Sequence, residues 1–410
     1  MNSRWVVMGA WAVTRIVIAL MGLQHLPYVD NEILYNDLDV YSRWAQEISA
    51  GTFPSADPMW QYPPFAGAVF VASRLFGEGR AAFVLLSLVV DFLILLVLLA
   101  DGRRRDRLRG AWLWVATAVL VGPLLLGRFD LIPTLFAVLA VVWVARPLRS
   151  GVAAAIGALL KVWPVLTLLA LPRHTLPRAA AAFAITGIVA MSMVIGWTGG
   201  GLSFLGNQRS RGIQEESVPA LPFLVARMFG APVEYVPRYG AMEVEATGAM
   251  WAGVLATLAG AVLIAIVAWW RLRGRLEDVP AADVAFTLVL ISVATSRVFS
   301  PQYSVWVLGL GALCLADRRS RVTTSVALVA VAALAAQLIY PWMYGPLNSG
   351  GIDATVVQAL RIGLILVATG LALVAISPRR TDASHSSAER RHRPMVSSGR
   401  ARGSDRAPRS

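Results

Sequence analysis

Two kinds of residue in this chain are placed to do chemistry. The segment 24–62 holds six acids, Asp30, Glu32, Asp37, Asp39, Glu47 and Asp57. Acids in a loop usually only solvate it. The cluster D-L-D-V-Y at 37–41 stands apart, because a carboxylate held in one place can take a proton from a hydroxyl group. The second kind is cations at breaks in apolar runs: Arg128 beside Asp130 in G-R-F-D, Lys161 in L-K-V-W-P, and Arg297 in S-R-V-F-S-P-Q-Y. Arg209 and Arg211 share N-Q-R-S-R-G-I-Q-E-E-S with Glu215 and Glu216. The plain alternative for each cation is snorkelling or an internal ion pair, with Arg128 and Asp130 the readiest pair. Asp91, Asp283 and Arg361 are read as such structural charges, and Arg15 stays open between the two readings. Lys161 is harder to dismiss. It is the one lysine among 37 basic residues, and a compact ammonium is a good point-charge partner for a phosphate. With one Cys, Cys314, and four His, no disulfide and no metal site are expected. D-L-D is formally a D-x-D motif, a weak signal.

The elements that must position these residues follow from composition. The chain has 410 residues, 57% hydrophobic and only 15% charged, with a mean hydropathy of +0.63. A soluble domain carries roughly 25% charged residues, so a water-soluble core is excluded. An all-α polytopic membrane protein is expected, since a span needs about 20 apolar residues. Ten runs qualify or nearly do: 5–23, 80–101, 111–127, 130–146, 177–197, 247–270, 280–297, 300–316, 322–343 and 355–377. The first lacks a small-residue cleavage site and is expected to remain as a span. Residues 63–76 are short and begin with two prolines, and 151–172 carry Lys161 and Pro164 in mid-run. Both read as re-entrant or juxtamembrane half-helices.

A net charge of +13 would point to nucleic acid in a soluble protein. Here the positive-inside rule accounts for it. With ten spans the Arg-rich loops and the tail fall on the cytoplasmic side, while the long loops 24–62 and 198–246 fall outside and are net acidic. No nucleic-acid partner is expected. The domain plan is a membrane domain, 1–377, and a disordered basic cytoplasmic tail, 378–410, that fixes topology. Segment 39–50 predicts an amphipathic helix ending at Gly51. Tyr35, Tyr41, Trp44, Trp60 and Tyr62 suit a lipid–water interface.

D-L-x-V-Y (Asp37, Leu38, Val40, Tyr41), W-x-Y-P-P (Trp60, Tyr62, Pro63, Pro64), G-R-F-D, L-K-V-W-P, R-G-I-Q-E-E-S and F-S-P-Q-Y occur in this order on one membrane face. Together they resemble the actinobacterial polyprenol-phosphate-dependent glycosyltransferases of family 87, over about residues 1–377. The resemblance implies a GT-C-like fold. It implies sugar transfer from a lipid-phosphate donor to a lipid or glycan hydroxyl on the exterior face, with inversion. It also implies a catalytic-base Asp in the first exterior loop, matching Asp37, while Asp39 falls at a variable position. The mannosyltransferase branch has P-x-S-W-x-H-H in a late exterior junction. This chain reads S-P-Q-Y-S-V-W there, so Gln302 or Tyr303 would take that role.

The chemistry agrees with these implications. Inverting transfer needs a carboxylate to deprotonate the acceptor, here Asp37 or Asp39. A polyprenyl-phosphate leaving group can be held by Arg or Lys without a metal or other cofactor; Lys161, Arg128, Arg209 and Arg211 are the candidates. Glu215, Glu216, Gln302, Tyr303 and Tyr62 would contact sugar or acceptor. The expected partners are the polyprenyl-phosphate sugar donor, mannose foremost, a lipid or glycan acceptor and membrane lipids. The expected setting is a monomer in the plasma membrane. A lipid-linked-sugar flippase would share the broken helix and buried cations, but would show an internal two-fold repeat, which is not evident. A non-catalytic scaffold would give no reason for acids to face cations.

Overall fold

The structure, a computed structural model, describes residues 2–29, 31–198, 204, 206, 208 and 211–378. The chain begins with α1 (Asn2–Gly22), α2 (Asn31–Ser49), α3 (Ala66–Ser73) and α4 (Gly79–Arg104). There follow α5 (Arg109–Val121), α6 (Leu131–Val142), α7 (Pro147–Leu160), α8 (Leu166–Leu169) and α9 (Leu176–Thr198). After α10 (Leu221–Met228) come α11 (Ala249–Leu272), α12 (Ala281–Ala294) and α13 (Tyr303–Ala316). The last helices are α14 (Thr323–Gln337), α15 (Tyr344–Asn348) and α16 (Ile352–Ile376). One compact unit runs to Ser377. The basic tail expected at 378–410 lies, beyond Pro378, outside the described residues.

Among the described residues six stretches, against the ten expected, are long and apolar enough to cross a membrane: 3–22, 79–104, 176–196, 249–272, 323–348 and 352–376. The other four expected spans correspond to α5, α6, α12 and α13, which have 13, 12, 14 and 14 residues. At 1.5 Å per residue these reach only about 18–21 Å, short of the roughly 30 Å hydrocarbon core. The reason is local. α5 stops at Gly122, whose φ of +65° is left-handed, and a tight turn over Gly122–Leu125 follows. α12 stops at Thr295, and Pro301 precedes α13. Nearly every residue of α12 and α13 is buried, as befits helices apolar all round. They form the core around which the longer helices stand.

The two irregular stretches take the expected broken form. Residues 63–76 give the eight-residue α3 and a turn, Arg74–Phe76. In 151–172, α7 ends at Lys161, which is extended (φ −155°, ψ +127°), and the turn Trp163–Val165 leads to the short α8. The all-α expectation misses one feature. β1 (Ile213–Gln214), β2 (Glu234–Arg238) and β3 (Ala241–Glu245) form an antiparallel sheet in the order β1–β3–β2. Ile213 pairs with Val244, and Glu234 with Glu245. Tyr239 and Gly240 join β2 to β3 with φ of +53° and +73°, both positive as a two-residue hairpin loop matching the strand twist demands.

α2 is longer than the predicted 39–50 helix. Leu34, Tyr35, Leu38, Tyr41, Trp44, Ala45 and Ile48 form one buried stripe along it, the helical period of an amphipathic element. Tyr35, Tyr41, Trp44 and Trp60 are therefore interior rather than interfacial. Tyr41 stacks on Phe70 of α3 at 4.4 Å, and Trp44 meets Trp60 edge-on at 4.9 Å. This aromatic cluster docks α2 on the helical body.

Arg15, the undecided cation, is structural. Its guanidinium donates to both Asp91 oxygens at 2.9 and 3.2 Å, and to the Trp114 and Val115 carbonyls at 2.8 and 2.7 Å. Trp11 also donates to Asp91. The pair ties α1, α4 and α5 together. Stripping one partner from a buried pair costs about 3–5 kcal/mol, whereas an apolar double replacement is often neutral. Asp91→Ala should lower the melting temperature of the detergent-purified protein sharply, and Arg15→Met with Asp91→Leu should recover most of it. An unchanged melt for Asp91→Ala would refute the role.

Candidate functional site

A cavity of about 570 Å³ opens between α2, the Lys161 break, the α12–α13 junction and the β2–β3 turn. Asp37 reaches it from α2, at the edge of that helix's buried stripe. Behind Asp37, Arg128 Nε lies 2.9 Å from Asp37 Oδ2. Arg128 Nη1 donates to the Leu34 carbonyl at 2.6 Å and to its neighbour Gly127 at 2.8 Å. A residue of the α5–α6 junction thus grips both the backbone and the carboxylate of α2. The approach requires glycine at 127: a Cβ there would sit 2.6 Å from the Tyr35 ring.

Opposite, Lys161 Nζ donates to Asp130 Oδ1 at 2.7 Å, and Trp306 Nε1 donates to the same oxygen at 2.5 Å. The ammonium stands 4.8 Å from the Trp306 ring centre, 5.0 Å from Phe129, 5.2 Å from Tyr303 and 5.9 Å from Tyr62. Aromatic faces attract a cation at such range. One N–H is taken by Asp130, and the Lys161 side chain keeps 16% of its surface open. Arg211 also lines the cavity. Its Nη1 donates to Gln61 Oε1 at 2.8 Å, and its Nε stands 3.7 Å from Glu243 of β3. Gln302, Tyr303 and Tyr62 line the cavity as well.

Several sequence expectations are corrected here. Arg128 does not pair with Asp130; it pairs with Asp37, and Asp130 pairs with Lys161. Only 6% exposed, Arg128 lies off the cavity wall, so it holds the carboxylate rather than facing a ligand. Asp39 is held by Arg80 of α4 and points away from the cavity. Arg209 lies outside the described residues. Asp283 and Arg361 are structural, as read: Asp283 Oδ2 accepts from the Arg321 backbone at 2.7 Å, and Arg361 lies 3.4 Å from Glu216. Gln61, Gln208, Ser292, Ser296 and Trp306 line the cavity but were not singled out. Trp306 was legible in principle, since it follows Tyr303 by three residues on the same helix face.

Glu215 and Glu216 do not line the cavity. Both are buried under the sheet. Glu216 accepts from Gln214 at 2.9 Å, and its backbone carbonyl accepts from Gln358 at 2.8 Å. Asn348, with its NH₂ turned toward Glu215, donates to that carboxyl at 2.6 and 2.7 Å. Burial, with Glu216 beside it, pushes Glu215 from 4.5 up to about 8, against the pull of Tyr344 and Arg227. Burial pushes Glu216 up to about 7, opposed by Arg361. Raised folded values mean the folded chain keeps protons that the unfolded chain releases, so stability is full below about pH 4.5 and falls as pH rises toward 8. Melting temperature should decline between pH 5 and 8, and Glu215→Gln should flatten the decline by roughly 1 kcal/mol per pH unit. Equal slopes in wild type and variant would contradict the buried-acid reading.

Six span-length apolar helices among the described residues define a multi-pass membrane protein, and its cavity holds a fixed carboxylate and a caged ammonium. Residues 60–301 match the model of glycosyltransferase family 87. That is more than half of the chain, which therefore belongs to this family and is a glycosyltransferase. Asp37 and the rest of α2 precede the matched stretch. No curated protein matches the chain. A solved structure similar to it is ArnT from Cupriavidus metallidurans bound to undecaprenyl phosphate. The identity is 17%, covering 92% of this chain and 78% of that one, with a TM-score of 0.45.

Proposed function

We propose that this glycosyltransferase takes a sugar, mannose foremost, from a polyprenyl-phosphate donor and passes it to a lipid or glycan hydroxyl at the exterior membrane face, inverting the anomeric carbon. The reading rests on one observation: Asp37, fixed by Arg128, and Lys161, fixed by Asp130, line one cavity. A carboxylate and a cation flanking one space are what an in-line displacement at an anomeric carbon asks for.

In this reading the acceptor hydroxyl lies against Asp37. The carboxylate takes its proton as the oxygen attacks the anomeric carbon. The bond to the phosphate oxygen breaks on the opposite side, and Lys161, with Arg211 further out, carries the charge that develops on the leaving phosphate. Transfer from a phosphate monoester leaving group requires no metal in this scheme. Gln61, Gln208, Gln302, Ser292 and Ser296 are uncharged donors and acceptors on the wall, suited to sugar hydroxyls. The Tyr303 ring, backed by Trp306 stacked at 3.9 Å, suits the apolar face of a sugar ring or the first isoprene units of the lipid.

The full-length protein in lipid nanodiscs, given radiolabelled polyprenyl-phosphate mannose or, separately, arabinose with an extracted lipid pool, tests this. Asp37→Asn keeps the shape and an acceptor oxygen for Arg128 but removes its counter-charge, so it should lower the melt while leaving the protein folded, and it should cut transfer by about 10²–10⁴-fold. Lys161→Met should impair donor use. Full activity of Asp37→Asn would remove Asp37 as base, and a product of retained configuration would remove the inverting mechanism. Donor movement across the bilayer without sugar transfer would favour a flippase instead.

A further inference from the structure

At the far end of α4 from Asp39 and Arg80 lies a second cavity, of about 610 Å³, between the start of α1 and the end of α4. Arg4, Arg103 and Arg104 line it together with Met8, Leu96 and Leu99. We propose that this groove is a binding site for an anionic phospholipid, with the lipid phosphate at the three guanidinium groups and an acyl chain along the apolar floor.

Three independent features carry this. The first is the shape made by the helix pair. Arg15 and Asp91 bind α1 to α4 in mid-helix. Trp11 packs on Phe92 next to that tie, and beyond it the groove opens from Met8 to Arg4 along α1 and from Leu96 to Arg104 along α4, about 6 and 12 Å, room for a headgroup and the first part of an acyl chain. The second is its graded chemistry. Leu96, Leu99 and Arg103 succeed one another along one face of α4, as Met8 and Arg4 do along α1, so apolar floor gives way to charge within two turns. Trp5, 70% exposed, stands at the rim, where an amphipathic ring suits a headgroup layer.

The third is unbalanced charge. None of the lining residues is acidic, and among the described residues no salt bridge engages Arg4, Arg103 or Arg104. Arg103 and Arg104 are favoured at the C-terminal end of α4, but Arg4 sits in the first turn of α1, which has no acid. The helix dipole there disfavours a cation and its free N–H groups favour an anion. A phosphodiester between these groups satisfies both helix ends, and basic pockets between spans are suited to anionic headgroups. The site is independent of sugar transfer.

The test uses the full chain in detergent, read by native mass spectrometry and by melting temperature with phosphatidylglycerol, phosphatidylcholine or free glycerol phosphate. Wild type should retain phosphatidylglycerol and melt higher with it. Arg4→Gln/Arg103→Gln/Arg104→Gln should lose that retention by about a hundredfold. A charge-matched control, Arg149→Gln/Arg273→Gln/Arg318→Gln, alters three exposed arginines expected on the same face and should retain the lipid. Equal loss in the control would reduce the effect to net charge and overturn the site. So would equal retention of phosphatidylcholine, an unchanged triple variant, or binding of glycerol phosphate as strong as that of the lipid. Retention is also read on Asp37→Asn, so failure of the proposed transferase leaves this result intact.

Discussion

The ion pair between Arg128 and Asp37 is the constraint on which the site depends. A buried guanidinium is costly unless its donors are used and a counter-charge faces it. Arg128 gains that counter-charge by reaching out of its own junction to α2, where it donates to the Leu34 carbonyl and faces the Asp37 carboxylate. Backbone and side chain of one helix are thus held by a single group, which leaves Asp37 little freedom to turn. Such fixing is what the proposed role of base would require, because a proton is taken efficiently only from within hydrogen-bond reach. The aromatic stripe of α2 supplies the docking energy, and Gly127 supplies the room.

The short helices make this geometry possible. Had α5 and α6 each run the full membrane thickness, their junction would sit at the membrane surface, among water. Ending α5 at Gly122 and starting α6 at Leu131 sinks the G-R-F-D turn into the protein, where Gly127, Phe129 and Asp130 are all buried. The α12–α13 junction is built alike: Gln214 of β1 accepts from the Phe299 backbone at 3.0 Å, and Arg297 donates to the Arg211 carbonyl at 3.1 Å. Irregular backbone at depth is tolerated where it is covered by protein or lines a cavity. Here the sheet provides the cover.

Much of this was legible from the cost of placing charge in an apolar chain. Asp37, Lys161, Arg211, Tyr62, Gln302 and Tyr303 were all marked by it or by their junction motifs, and all line the cavity. Pairing was less legible. Arg128 and Asp130 are two apart in the turn before α6, so sequence proximity suggested a pair; the true partners lie 91 and 31 residues off. Helix length misled because a hydropathy window sees composition and not the turn at Gly122 or the break after Thr295. The tyrosines and tryptophans of 35–62 misled because an apolar ring with a polar tip suits a core as well as an interface. Glu215 and Glu216 misled because nothing local marks a carboxyl as buried, and the partners that enclose them, Asn348, Gln358 and Arg361, lie more than 130 residues on.

The lone lysine now has a physical reason. Its ammonium sits in a cage of four rings, with Trp163 stacked on Trp306 behind it at 5.1 Å. A guanidinium is wider, planar and bound to present its donors in one fork. Laid flat on one ring it would turn its N–H edge from Asp130; turned toward Asp130 it would press its breadth on the other faces. An ammonium is nearly spherical, so it can keep one hydrogen bond to Asp130, rest against several rings at once and still present a donor to the cavity. Asp130 and the rings offset the charge without closing it off, as the proposed hold on a leaving phosphate requires. In a chain whose every other basic residue is arginine, that geometry accounts for the exception at 161.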